Sequence, residues 1–169
     1  MTAAQDEARA VAVGAYEFDH PKMIRARRLW AELLRRDGTL AEGDLELVTY
    51  MHVETIRDRL MADVLDPWAL DKGDYDDLFR GAIRPDAEMI QRMHAATMAC
   101  RNLSELTPEG DHPPLLLIVA MCQWLTLNAH VAKMGASIAL TIDPEFRLAQ
   151  LMVTMVDRGL VPKWAELEA

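Results

Sequence analysis

Two cysteines and two serines are all that this chain of 169 residues holds of those types, and its eight glycines never cluster. Each scarcity removes a class of protein. Cys100 and Cys122 are too few and too far apart for a disulfide framework or a zinc site, and both sit among apolar neighbours, as reduced core thiols do. Ser104 and Ser137 lack a Gly-x-Ser-x-Gly elbow or any other context of an activated nucleophile. No glycine precedes Lys-Ser or Lys-Thr, so the sequence has no phosphate-cradling loop. The longest apolar run, residues 115–127, is interrupted by Gln123 and Thr126 and falls well short of the ~20 residues that cross a bilayer. The opening Met-Thr-Ala-Ala-Gln-Asp-Glu has no cationic stretch leading into an apolar one, so no secretory signal is read and a cytoplasmic location is expected.

What is present has the composition of a globular protein: 51% apolar and 27% charged residues, with a formal net charge of −9. The length suits one domain, and the acidic balance argues against a surface devoted to nucleic-acid phosphates or anionic lipid. Outside an ambiguous stretch at 11–16, nothing alternates as a strand does. Residues 1–19 read as an N-terminal arm or helix. A helix is predicted from 21 to 36, with Ala26, Leu29, Trp30, Leu33 and Leu34 as its apolar stripe and Gly38 as its stop. Thr39-Leu-Ala-Glu42 fits a capping box and predicts a long helix to about 65, with Leu45, Val48, His52, Ile56 and Leu60 facing the core.

Asp66-Pro67 breaks that helix, and residues 66–84 form an acidic irregular loop. Pro85 opens a helix to about 104 that carries Ile90, Met93, Thr97, Cys100 and Leu103. Beyond a linker at 107–114, three consecutive helices are predicted at 115–128, 131–142 and 145–158, the last two divided by Asp143-Pro144.

Charge is uneven. Residues 22–36 hold Lys22, Arg25, Arg27, Arg28, Arg35 and Arg36 against Glu32 alone, whereas residues 37–77 hold twelve acids against three basic residues. On the predicted helix Arg25, Arg28, Arg35 and Arg36 lie opposite the apolar stripe and are candidate phosphate contacts. No aromatic is interleaved with them, and pairing with Glu42, Asp44 or Glu46 is the simpler account. In the acidic loop Asp71, Asp74, Asp76 and Asp77 gather carboxylates, but no register satisfies an EF-hand, because Tyr75, Leu78 or Phe79 falls at a ligand position. The five histidines include no His-Glu-x-x-His. His52-Val-Glu54 lacks the Pro-Cys-x-x-Cys that would complete a deaminase zinc site. His52 and His94 read as hydrogen-bonded histidines at the core edge. No cofactor and no metal are expected.

In the last third, Ala120, Ala132, Ala139 and Pro144, followed by Arg147-Leu-Ala-Gln-Leu151, resemble a tetratricopeptide-type hairpin plus one further helix over residues 115–158. More widely, Leu33-Leu-Arg-Arg-Asp-Gly38, Ile56-Arg57-Asp58, residues 114–124 and residues 139–151 resemble the C-terminal, all-helical half of a large actinobacterial and actinophage family of unknown function. The chain departs from that pattern at Leu127 and Ala129, where such proteins place Gly beside Asp or Asn in a tight turn. The resemblance implies a phage or mobile-element setting and supplies no catalytic residue.

These features predict a single all-α domain of six or seven helices ending in a tetratricopeptide-like hairpin. They predict a non-catalytic module that binds another protein or itself, as a homodimer, with no membrane partner. Asp71, Asp74, Tyr75, Asp76 and Asp77 of the acidic loop, with Met152, Met155 and Trp164, are the candidate contacts. An alternative is a small-molecule or nucleotide-handling enzyme with His52, Arg57, Asp58 and His94 in a helical cleft. A third class is nucleic-acid binding through the basic helix, which the acidic neighbourhood disfavours.

Overall fold

A computed structural model describes residues 20–67, 75–107 and 112–168, and among these every regular element is helical. They form nine helices: α1 (Pro21–Arg35), α2 (Glu46–Met51), α3 (Glu54–Leu65), α4 (Asp76–Phe79), α5 (Ala87–Leu106), α6 (Pro113–Leu125), α7 (Ala129–Ile142), α8 (Arg147–Asp157) and α9 (Lys163–Glu166). The segment 1–19, with its expected arm or helix, lies outside the described residues. One cluster of buried side chains runs from Met23 on α1 to Met152 on α8.

The first helix follows its stripe: Met23, Ala26, Leu29, Trp30 and Leu33 are buried, and the His20 ring accepts the Lys22 N–H at the start. It packs on α2, α3 and α5. Its end is a Schellman turn, in which Asp37 N–H donates to the Leu34 carbonyl and Gly38 N–H to the Leu33 carbonyl. Gly38 has φ +83°, and a Cβ there would stand 2.5 Å from the Ala99 backbone nitrogen, so this turn rests directly on α5. Asn102 of α5 donates to the Gly38 carbonyl at 2.8 Å.

The single long helix expected from 39 to 65 is two helices, and the capping box does not form at a helix start. Residues 42–45 make turns before α2 begins. There the 2%-exposed Asp44 carboxylate accepts the Ala41 N–H at 2.7 Å and pairs with Arg36. The helix breaks at His52-Val53, where Val53 is extended. The cause is spacing. Leu47, Val48 and Met51 are buried on α2, and Ile56, Leu60 and Val64 on α3; the five-residue step from Met51 to Ile56 cannot stay on one face of a continuous helix. Leu45 and His52, expected in the core, are exposed.

At the end of the third helix an arginine from α5 acts as a cap: Arg92 donates to the Val64 and Leu65 carbonyls at 2.8 and 3.2 Å. The 66–84 segment is not irregular throughout, since it contains α4. Asp86 caps α5 by accepting the Met89 N–H.

Downstream, α6 and α7 form a helical hairpin joined by residues 126–128, with α8 against α7. Ala120, Ala132, Ala136 and Ala139 are buried between these helices, and a Cβ on Gly135 would stand 3.6 Å from that of Ala120. The connecting turn is another Schellman motif, but Leu127 occupies the left-handed position with φ +67°. This is the position at which the resemblance called for glycine beside an acid or amide. The chain then returns over the α4 turn: Lys163 and Trp164 N–H groups donate to the Arg80 and Gly81 carbonyls, both at 2.9 Å.

Candidate functional site

Three of the basic side chains at 22–36 pair with carboxylates of the same chain. Arg25 grips Glu46 with two hydrogen bonds of 2.7 and 2.9 Å, and that hydrogen bond holds the Glu46 carboxyl below its ordinary value. Arg27 grips Asp63 in the same way, and Arg36 pairs with Asp44. The pairing expected from the sequence is thus present for Asp44 and Glu46. Among the described residues Arg28 and Arg35 make no ion pair, and both line an open groove of about 750 Å³ between α1 and α5, floored by Trp30 and Leu34 and flanked by Glu88.

A charged side chain the sequence reading missed lies beneath them. Arg59 on α3 is 1% exposed and donates to Asp63 at 2.8 and 3.1 Å, so Asp63 receives two guanidinium groups. Burial opposes the Arg59 charge, but the Tyr75 hydroxyl and the Asp63 carboxylate outweigh it and hold its pKa above the ordinary value. Tyr75, a candidate contact, is therefore half-buried beside Arg59, with ring centroid and guanidinium 5.7 Å apart. Only its neighbour Asp63, four residues along one helix, marked Arg59 in the sequence.

The four residues of the alternative cleft do not line one cavity. Arg57 is 9% exposed, donates to its neighbour Asp58 at 2.8 and 2.9 Å, and stacks over the Phe146 ring at 5.3 Å. Burial raises the Asp58 carboxyl against the pull of Arg57. His52 meets His112, not His94: the two ring nitrogens are 3.2 Å apart, while His94 is exposed on α5. Neither the groove beside α1 nor the depression on α7 is lined by any of the four. Among the described residues no three His, Cys, Asp or Glu side chains gather as metal ligands. Both thiols are buried and free, and burial pushes Cys122 up to about 12 and Cys100 well above its ordinary value.

Of the partner-binding candidates, Asp71 and Asp74 lie outside the described residues, and Asp76 and Asp77 are exposed on α4. Met152 is not available as a partner contact: it is 2% exposed and belongs to the core cluster, as methionines commonly do. Met155 is partly buried against the same cluster. Trp164 is half-buried, and its indole N–H donates to the Leu125 carbonyl at 3.1 Å, closing the C-terminal segment over α6.

The exposed apolar surface instead lies one helix earlier. Small residues occupy the packed face of α7, which turns its large aliphatic side chains outward. Val131, Met134, Ile138 and Ile142, with Leu127 at the leading end, are each between 43% and 54% exposed and recur at steps of three or four residues. Met134 and Ile138 flank a shallow depression of about 400 Å³ with His130, Lys133 and Ser137. The one Lys, Arg, Asp or Glu on the helix is Lys133, which pairs with Asp157 of α8. Exposed aliphatics elsewhere, such as Ile24, Leu45, Ile83 and the adjacent Leu160 and Val161, do not recur along a helix at this spacing. Sequence reasoning missed this face because bulky aliphatics ordinarily point inward; the visible signal is the Ala/Gly face at 132, 135, 136 and 139. Among the described residues no helix is long and apolar enough to cross a membrane. No family model, curated protein or solved structure matches the chain.

Proposed function

We propose that this chain is a non-catalytic interaction module that docks a partner protein on the outer face of α7. The carrying observation is the continuous stripe of five half-exposed aliphatic side chains at helical spacing. Large apolar stripes on soluble domains mark binding surfaces, and one with this spacing fits a helix laid alongside it. The absence of net charge on the stripe favours burial, since no ion must be desolvated on this chain's side. The tetratricopeptide-like reading of 115–158 is supported by Ala120, Ala132 and Ala139 between paired helices, and units of that kind leave a helix face for a neighbour. A regulatory role in an actinobacterial or actinophage setting rests on the resemblance alone.

The test is capture by tagged full-length chain from lysate and from a mixture with an untagged copy, each compared with an Ile138→Glu bait. A protein retained by the wild type and lost with Ile138→Glu is the expected result. Identical retention by both baits, whatever is retained, overturns docking on this face.

A further inference from the structure

We infer that the partner on α7 is a second copy of the same chain, its α7 running antiparallel across a two-fold axis. This rests on the docking reading above and adds the occupant. The first reason is the symmetry of the stripe. Val131 and Ile138 lie equally far on either side of the point midway between Met134 and Gly135, and so do Leu127 and Ile142. A two-fold contact pairs each residue with the position equally far across the axis, so this spacing lets aliphatic meet aliphatic along the stripe. Antiparallel pairing puts Val131 against Ile138 of the other copy and Leu127 against Ile142. Met134 then lies beside the axis, half a residue from it, so the flexible thioethers of the two copies lie next to each other there.

The second reason is charge. Residues 113–162 hold three basic and three acidic side chains, so the hairpin unit is neutral while the rest of the molecule carries the net −9. Two copies of an acidic protein repel least where they present this unit. Lys133 is neutralised by Asp157 within each copy, so bringing two α7 helices together opposes no bare charge. Gly135, turned toward Ala120, keeps the centre of α7 close on α6 and leaves Met134 as the central contact. A single helix pair lies near the lower limit of stable interfaces, about 1,200 Å² in total, so association in the range of roughly 10–100 µM is expected.

Sedimentation equilibrium of the full chain from roughly 1 to 300 µM reads the assembly. A monomer–dimer equilibrium is expected, with the dissociation constant raised at least about tenfold by Ile138→Glu and separately by Met134→Lys, each of which buries a charge at the seam. Both positions are about half exposed, so the helical circular dichroism of each variant should match the wild type. Geometry is read by oxidising Val131→Cys and Ile138→Cys chains of different tag length: the mixture should form a mixed disulfide dimer, and neither variant alone should cross-link. The buried native thiols do not compete. A chain monomeric at 300 µM, a dimer indifferent to both charged variants, or self-cross-linking of each variant without the mixed product overturns the proposal. If another protein is captured by the wild-type bait and lost with Ile138→Glu while the untagged copy is not, docking on α7 stands and the second copy is rejected.

Discussion

The region from α1 to α5 and the unit from α6 to α8 close their surfaces by different means. The first is acidic in sequence and closes with arginines: Arg25, Arg27, Arg36 and Arg59 take up Glu46, Asp63 and Asp44, and Arg92 takes up the carbonyls at the end of α3. The second is neutral and closes with small side chains, Ala132, Ala136 and Ala139 bringing α7 close to its neighbours. Polar closure commits those arginines to carboxylates and carbonyls of the same chain, and among the described residues only Arg28 and Arg35 are left on the open groove beside α1. Close packing through alanine turns the large aliphatic residues of α7 outward, so the surface available for binding follows from how the hairpin packs.

The largest effect should come from breaking the polar side of that contrast. Asp63→Ala leaves Arg59 buried without its carboxylate and should cost roughly 3–5 kcal/mol in urea unfolding. Arg59→Met leaves Asp63 paired with Arg27 and should cost well under half as much. Equal losses would mean that packing, not unpaired charge, governs this region. Next comes the small-residue side: Ala136→Leu pushes α7 off its neighbours and should cost about 1–3 kcal/mol by the same measurement. No loss there would show that the hairpin has room and that its outward face is not dictated by close approach.

A smaller change of opposite sign is expected at the turn between α6 and α7. Leu127→Gly relieves a left-handed leucine and should stabilise the chain by about 1 kcal/mol, while weakening self-association by removing one end of the stripe. The smallest effect concerns Asp58, whose carboxyl is raised by burial. Its folded form holds the proton more tightly than the unfolded one, so its ionised state costs stability at neutral pH, and that cost is relieved as pH falls through the raised value toward 3.8. Asp58→Asn should therefore equal or slightly exceed the wild type at pH 7, within about 0.5 kcal/mol, with the difference shrinking toward pH 4. A difference that widened on acidification would show that Arg57 needs the charge.

Much of the first region was legible. The α1 stripe and its stop at Gly38 follow directly from spacing, and the arginine pairing with Asp44 and Glu46 follows from the adjoining basic and acidic runs. The division between α2 and α3 was not anticipated, because the Leu45/Val48/His52/Ile56/Leu60 series mimics one continuous face. Only the five-residue step from Met51 to Ile56 betrays it. Arg59 was illegible for a different reason: its burial depends on Asp63, Arg27 and Tyr75 converging from separate elements. In the second region the helices themselves were legible, but not which face of α7 would be covered. Bulky aliphatics ordinarily point inward; here alanine decides the packed face, and Met152 on α8 fills the core and is not available as a partner contact.

The contrast between an α1–α5 region closed by arginine–carboxylate pairs and an open apolar α7 face is tested most directly by carbene footprinting of the full chain at low and high concentration. The expected result is that labelling of Val131, Met134 and Ile138 falls as concentration rises while that of Ile24, Leu45 and Ile83 is unchanged. Protection of those three N-terminal side chains, with α7 labelled equally at both concentrations, would contradict it.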